Sequence, residues 1–246
     1  MFLDADDLLM PSAVHDLYEG IKTNDLDILR SGFIHENSGG SDILFQANTN
    51  VITWMHGKIY RVEFLKKNNI RFLEGLRADE DAYFNQIAWY STDKKGELNG
   101  TTYFWRDNIK SLTRRGEPSN YFKQTYYSFV HSQLKSLEFI YNKTNKLDAG
   151  LFGNVMINMY YYYNEAKYRE LDYSLLEKDF YEFGKYEWVK DLFKNSAVWN
   201  LFIEIVKSGG TLKEGGMYFF EVNMRDWVIK FFNLTKEEIN DIIKPE

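Results

Sequence analysis

The first seven residues constrain the chain most. Met1-Phe2-Leu3 is a short apolar run that stops abruptly at Asp4-Ala5-Asp6-Asp7, the pattern of a buried strand delivering carboxylates to its C-terminal edge. A buried strand needs neighbours on both sides, because backbone N–H and C=O groups away from water must be paired. The pattern therefore requires a sheet, with acidic groups at the ends of its strands.

The rest of the first half fits an α/β arrangement. Pro11-Ser12 followed by Ala13, Val14, Leu17, Tyr18 and Ile21 predicts a helix opened by proline, with apolar residues at three- and four-residue spacing. Asp27 to Phe33 alternates as a strand, and His35 to Asp42, rich in Gly, Ser and Asn, reads as a loop. Val51 to Trp54 leads into a segment with Ile59, Val62, Phe64 and Leu65, predicted as a helix ending near Asn68-Asn69, with a short strand at Ile70 to Phe72 after it. Ala82 to Trp89 is predicted helical, with Glu80 and Asp81 at its N-terminal end, where the helix dipole favours negative charge. Thr101 to Trp105 has the β-branched and aromatic content of a strand.

Beyond Pro118 the character changes. No proline occurs from Ser119 to Lys244, and Val130, Leu134, Leu137 and Tyr141 recur at helical spacing. Gly150 and Gly153, then Gly209-Gly210 and Gly215-Gly216, read as breaks between helices. The 246 residues suffice for one large domain or a main domain with an appended one. We divide them into residues 1–116, an α/β part, and residues 117–246, a helical subdomain.

Composition removes several function classes. Thirty basic against 36 acidic side chains leave a formal charge of -6, which speaks against a general phosphate-backbone binder and hence against nucleic acid. With no cysteine there is neither a disulfide nor a thiolate metal site, and the four histidines lack metal-ligand spacing. No apolar run approaches the roughly 20 residues of a membrane span, and the start lacks a signal-peptide pattern. The expectation is a soluble, cytoplasmic protein, peripheral at most at the inner face of a membrane. The 18 Tyr and 19 Phe suit either a tyrosine-rich core or sugar-stacking surfaces.

Asp4-Ala5-Asp6 offers two hard oxygen ligands where a divalent cation and a diphosphate can meet, on one side of the chain if the extended geometry persists. A solvated turn, or a helix cap using Asp7, is the other reading of the tripeptide. A haloacid-dehalogenase-type phosphatase also begins with an apolar strand and Asp-x-Asp, but needs Thr or Val where Leu8 stands.

A longer set of motifs narrows this. Trp54-Met55-His56-Gly57-Lys58-Ile59-Tyr60-Arg61 precedes Asn68-Asn69-Ile70-Arg71-Phe72, then Glu80-Asp81-Ala82-Tyr83-Phe84. Tyr103-Phe104-Trp105-Arg106 and Ser111-Leu112-Thr113-Arg114 follow. In order and spacing this run resembles bacterial family 2 glycosyltransferases of the GT-A fold from their Asp-x-Asp motif onward, over roughly residues 1–116. The resemblance implies an incomplete GT-A core, Rossmann-like with a mixed sheet, followed by a mainly helical subdomain.

It also implies an inverting transfer from a nucleotide-sugar donor, a UDP-sugar in the first instance, to a saccharide or polyol-phosphate acceptor, as in polysaccharide biosynthesis. By motif position Asp6 and Asp4 would ligate Mn2+ or Mg2+ at the diphosphate, and Asp81 would be the catalytic base. Arg106 and Arg114 would approach the donor diphosphate, and Trp54, His56 and Glu80 would line the acceptor side. Read as residues alone, Arg106 and Arg114 are equally surface charges, Asp81 a helix-end carboxylate, and Trp54 and His56 packing groups.

The sequence departs from the family in two respects. The βαβ nucleotide-binding half that complete members carry before the Asp-x-Asp is absent from these residues, so an N-terminally truncated or split enzyme is expected, with a partner chain or second copy covering the exposed sheet edge. The Gln-x-x-Arg-Trp motif of processive synthases is also absent, which favours transfer of a single sugar. A descendant that kept the fold as a non-catalytic carbohydrate-binding or helical interaction protein is the alternative.

Overall fold

Ile28, Leu29 and Arg30 are consecutive and all buried, which places the strand they open in the middle of a sheet, covered on both faces. This strand, β2 (Ile28–Asn37), is the centre of the first of two units in the computed structural model, Met1–Phe122 and Lys123–Glu246. The structure describes residues 1–37, 44–48, 51–107, 118–207 and 224–243.

The elements of the first unit are β1 (Leu8–Leu9), α1 (Ala13–Thr23), β2, β3 (Leu44–Asn48), β4 (Lys58–Tyr60), α2 (Val62–Lys67), α3 (Glu80–Tyr90) and β5 (Lys95–Trp105). Among the described residues the sheet order is β1-β5-β2-β3, with β4 also on β2. β2 runs parallel to β5 and antiparallel to both β4, over Ile28–Arg30, and β3, over Phe33–Asn37. Two register shifts interrupt the parallel pair near Gly32, so that Phe33 faces Tyr103 and His35 faces Trp105. No strand among the described residues pairs with the outer edge of β5 over Lys95–Thr101.

α1 buries Ala13, Leu17 and Ile21, one per turn, and Leu17 and Ile21 pack with Leu26, Leu29, Ile59 and Leu98. Val14 and Tyr18, of the same predicted stripe, point outward. Several expectations are corrected. Met1-Phe2-Leu3 is not a strand: the Asp7 N–H bonds the Asp4 carbonyl at 3.2 Å, turning the chain, and Phe2 packs its ring on Tyr60, Phe72 and Phe84. The strand lies one turn later, as β1. His35, Glu36 and Asn37 belong to β2 rather than to a loop, and Ile59 belongs to β4 rather than to a helix. Ile70 to Phe72 forms no ladder, because the Ile70 N–H returns to the Leu65 carbonyl (2.9 Å) around Asn69 at φ 52°, closing α2 with a left-handed cap.

The second unit is helical: α4 (Pro118–Thr144, which begins in the first unit), α5 (Ala149–Tyr168), α6 (Ser174–Phe183), α7 (Glu187–Phe193), α8 (Ser196–Lys207), α9 (Met224–Phe232) and α10 (Lys236–Ile243). Val130, Leu134 and Leu137 of α4 join Phe152, Met156 and Tyr160 of α5 in its core, with Phe180, Phe193, Trp227 and Phe232. Gly150 and Gly153 do not break helices. Both lie inside α5, and a Cβ on Gly153 would come within 2.9 Å of Leu201, so this glycine permits close approach of α8. Gly209, Gly210, Gly215 and Gly216 lie outside the described residues. The architecture is thus an α/β core with a mixed sheet followed by a mainly helical part. No helix among the described residues is long and apolar enough to cross a membrane.

Gly57 sets the spacing between β2 and the segment before β4. Its φ is 63°, its carbonyl accepts the Ser31 N–H at 2.8 Å, and a Cβ would lie 2.9 Å from the Ser31 carbonyl oxygen. Gly75, at φ 82°, has nothing within 4 Å of that position. We predict that Gly75→Ala carries only the left-handed penalty, about 1–2 kcal/mol and roughly 2–8 °C in Tm for a chain of this size. Gly57→Ala should lose distinctly more. Equal losses in thermal denaturation would refute the close packing of Gly57 on β2.

Candidate active site

The parallel strands β2 and β5 end side by side, and open α/β sheets bind their ligands beyond such carboxyl ends. The side chains there are aromatic. His35 stacks on Trp105 with centroids 4.0 Å apart, Phe33 lies 4.9 Å from the His56 ring, and His56 lies 4.7 Å from Tyr103 and 4.9 Å from Trp105. Trp54 meets Trp105 edge-on at 5.4 Å and keeps 37% of its surface exposed. Of the three acceptor-side candidates, Trp54 and His56 are therefore brought together, in one aromatic group with Trp105, and Glu80 is not part of it.

The turn at Asp4–Asp7 decides which carboxylates face this group. In an extended strand residues i and i+2 share a side; in the observed turn, Asp4 and Asp7 converge instead. Among the described residues, donor atoms of Asp4, Asp7 and His56 lie within 4.8 Å of one another. Asp6, expected beside Asp4 as a ligand, is exposed and is not part of this group.

Asp7 is buried and tied to β5. Its Oδ2 accepts from the Tyr103 hydroxyl at 2.7 Å and its Oδ1 from the Arg106 N–H at 2.9 Å, while Tyr103 oxygen accepts from the Asp4 N–H at 3.3 Å. Burial raises the Asp7 carboxyl, against the lowering effect of these two donors, and nearby Asp4 and Asp6 raise it further. Burial holds the His56 imidazole down at about 4, with the Lys58 and His35 charges adding to the effect. His56 is thus neutral at physiological pH, and its Nδ1 is buried without a hydrogen-bond partner. A neutral imidazole with a free nitrogen and two carboxylates form a donor set that suits a divalent cation.

Asp81 enters from α3. Asp79 occupies the N-cap in a left-handed conformation (φ 65°), which places Glu80, exposed, and Asp81 in the first turn. Burial pushes the Asp81 carboxyl up to about 6, with Glu80 adding to it and the Ala82 N–H and Lys58 opposing it. Burial, then Asp81 and Glu80, push Asp79 up to about 7. Lys58 is buried in β4, and its amine is lowered to about 7 by burial and by Arg30. It donates to the Trp54 carbonyl and, at 3.5 Å, to the His56 carbonyl.

Of the two donor-side arginines, Arg106 is exposed and reaches Asp7 through its backbone N–H, and Arg114 lies outside the described residues. Sequence reasoning gave Asp7 only a capping role and gave Lys58 no role beyond its place in the Trp54–Arg61 run.

No family model matches the chain. It is 27% identical over 132 residues to a curated Bacillus subtilis protein described as the uncharacterized glycosyltransferase EpsJ, covering 46% of this chain and 38% of that one. Its fold is similar to that of S. aureus TarS, with a TM-score of 0.53 and 18% identity over 79% of this chain and 36% of TarS. TarS residues 1–349 have also been solved in complex with UDP-GlcNAc; that comparison covers 64% of this chain and 56% of the other at a TM-score of 0.39 and 16% identity. The chain thus spans well under half the length of EpsJ and of TarS. The resemblance to glycosyltransferases read from the motifs is matched by a curated relative and by the fold.

The raised Asp79 carboxyl yields a stability prediction. A folded-state value of about 7 against an ordinary 3.8 means that the fold favours the protonated form. Stability is therefore intact below about pH 4 and is lost as pH rises through 7. Asparagine cannot ionise and accepts the left-handed conformation. Asp79→Asn should raise Tm at pH 8, by roughly 2–4 °C per kcal/mol recovered, and leave it unchanged at pH 4. A gain independent of pH in thermal melts would show that ionisation is not the cause.

Proposed function

We propose that the chain is the acceptor-side part of a GT-A glycosyltransferase that moves one sugar from a nucleotide-sugar donor to a saccharide or polyol-phosphate hydroxyl, with inversion. One observation carries this reading. Asp81 is an electrostatic neighbour of Lys58, whose ammonium binds the carbonyls of the segment bearing His56, itself grouped with Asp4 and Asp7. A raised carboxylate and a cation-suited donor set thus lie on one connected stretch of structure.

In this reading Asp81 accepts the proton of the attacking hydroxyl. Its value near 6 suits a base at neutral pH, since it is ionised there yet more basic than an ordinary carboxylate. The helix N-terminus behind it favours the anionic form before the proton arrives. Mn2+ or Mg2+ held by Asp4, Asp7 and His56 would supply charge neutralisation for a diphosphate leaving group. Asp6 is exposed beside this group, where it would face the nucleotide or the cation's water shell. Arg106, whose backbone N–H binds Asp7, carries an exposed guanidinium that suits a phosphate oxygen, and Trp54 and Trp105 offer ring faces to the apolar side of a sugar. A partner chain or second copy of this chain would cover the open edge of β5.

UDP-GlcNAc is the first donor to test, because TarS has been solved with it bound. Calorimetry should find binding that depends on Mn2+ and weakens at least roughly tenfold in His56→Ala or Asp7→Asn, the scale of losing one ligand or its support. Folded protein that binds no donor would favour the non-catalytic carbohydrate-binding alternative. Asp81→Asn should bind donor like the parent and lose transfer by about 10²–10⁴-fold. In the parent, transfer should fall tenfold per pH unit below about 6, as Asp81 becomes protonated. Parent-level transfer by Asp81→Asn would exclude it as the base.

A further inference from the structure

The phenol of Tyr103 meets each of the three residues grouped at the first turn. Its hydroxyl donates to Asp7 Oδ2 at 2.7 Å, its oxygen accepts from the Asp4 N–H at 3.3 Å, and its ring lies 4.7 Å from the His56 ring. The residue is 2% exposed. A buried phenol needs a partner for its polar end, and a phenylalanine would fill the same ring space. What the hydroxyl adds is the two bonds to the first turn.

Those two bonds act on opposite ends of that turn. The Asp7 N–H returns to the Asp4 carbonyl at 3.2 Å, so Asp4 and Asp7 are joined once through the backbone and once through the phenol oxygen, which donates its single hydrogen to one and accepts from the other. In an extended chain, Cα atoms three residues apart are separated by about 10 Å, which puts the Asp4 N–H and the Asp7 carboxylate out of reach of one oxygen. The phenol therefore favours the turned form, in which donor atoms of Asp4, Asp7 and His56 fall within 4.8 Å of one another.

Asp7 is held by β5 at both of its oxygens, Oδ2 by the Tyr103 hydroxyl and Oδ1 by the Arg106 N–H at 2.9 Å. A carboxylate oxygen accepts more than one bond, so these contacts fix the plane of the group and still leave each oxygen able to bind a cation. The His56 ring lies between Tyr103 and Trp105, 4.7 and 4.9 Å from their centroids, with its Nδ1 buried and unpartnered.

We propose that Tyr103 is the positioning residue of this group: its hydroxyl closes the Asp4–Asp7 turn and fixes the Asp7 carboxylate, and its ring backs His56, so that the three donors are pre-arranged for a divalent cation. This rests on the reading of Asp4, Asp7 and His56 as a cation site. Tyr103 is not itself a ligand.

The test is Tyr103→Phe, which keeps the ring, with Tyr163→Phe as its control. Tyr163 is also buried and its hydroxyl also donates to a carboxylate, that of Glu177 at 2.5 Å, but in the helical unit. Both substitutions should lower Tm, because each leaves a carboxylate short of a donor. With Mn2+ alone as the probe and its EPR signal as the readout, Tyr103→Phe should weaken binding at least roughly tenfold, and Tyr163→Phe should bind like the parent. Parent-level binding by folded Tyr103→Phe would overturn the proposal. So would an equal loss in Tyr163→Phe, which would make the effect one of general destabilisation. Parent protein that binds no Mn2+ would instead remove the cation-site reading, and the proposal with it.

Amide hydrogen exchange in the absence of metal supplies a second measurement. In the parent the Asp4 and Asp7 amides should be protected, and in Tyr103→Phe they should lose most of that protection while Tyr163→Phe keeps it. Rapid exchange at both amides in the parent would show that the turn is not closed, and would overturn the proposal even if Tyr103→Phe does not fold.

Discussion

Ten residues of β2 pair with three other strands, and two of the pairings deliver different parts of the site. β4, joined at Ile28–Arg30, brings Lys58 and Tyr60 into the interior. β5, joined along its length, brings Tyr103 and Trp105 level with Phe33 and His35. The register shifts on either side of Gly32 set this second alignment, by which Tyr103 pairs with Phe33 and Trp105 with His35. Asp7 then depends on Tyr103, whose hydroxyl it accepts. The carboxylates of the first turn are therefore located by a strand about a hundred residues later.

The electrostatics follow from burial more than from close ion pairs. Asp7, Asp79 and Asp81 are all raised chiefly because they are removed from water. Each such shift is stability given up at neutral pH. By contrast, Arg61, Asp25 and Lys94 form an exposed set of ion pairs of the kind that adds little. Of these, Asp7 is the one held beside the neutral His56 imidazole, where it is tied to the end of β5 through Tyr103 and the Arg106 N–H.

How much of this was legible in the sequence depended on how local the cause was. α1 and α3 are set by spacing and the absence of proline and were expected close to their observed positions, and the second unit was expected to be helical without the bounds of its helices. The strand at Thr101–Trp105 was expected too, because its residues are bulky and β-branched. Met1–Leu3 and Ile70–Phe72 have the right composition for strands, but strand formation needs a partner, and instead Phe72 stacks on Phe84 while Phe2 meets it edge-on. Gly153 shows the converse error: glycine alone does not reveal whether a chain breaks there or another helix passes close by.

The donor group shows the same limit at the scale of one turn. Reading Asp4-Ala5-Asp6 as extended makes Asp4 and Asp6 partners; a single backbone hydrogen bond from Asp7 to Asp4 makes Asp4 and Asp7 partners instead. That bond competes with strand pairing for the same backbone groups, so the identity of the inward carboxylate depends on whether a neighbouring strand engages residues 1–4. Asp7 would keep its ties to Tyr103 and Arg106 in either case, since these reach it through its side chain. In the observed turn it is Asp4, and not Asp6, whose donor atom lies with those of Asp7 and His56, so the backbone conformation of the first turn decides which carboxylate joins the group.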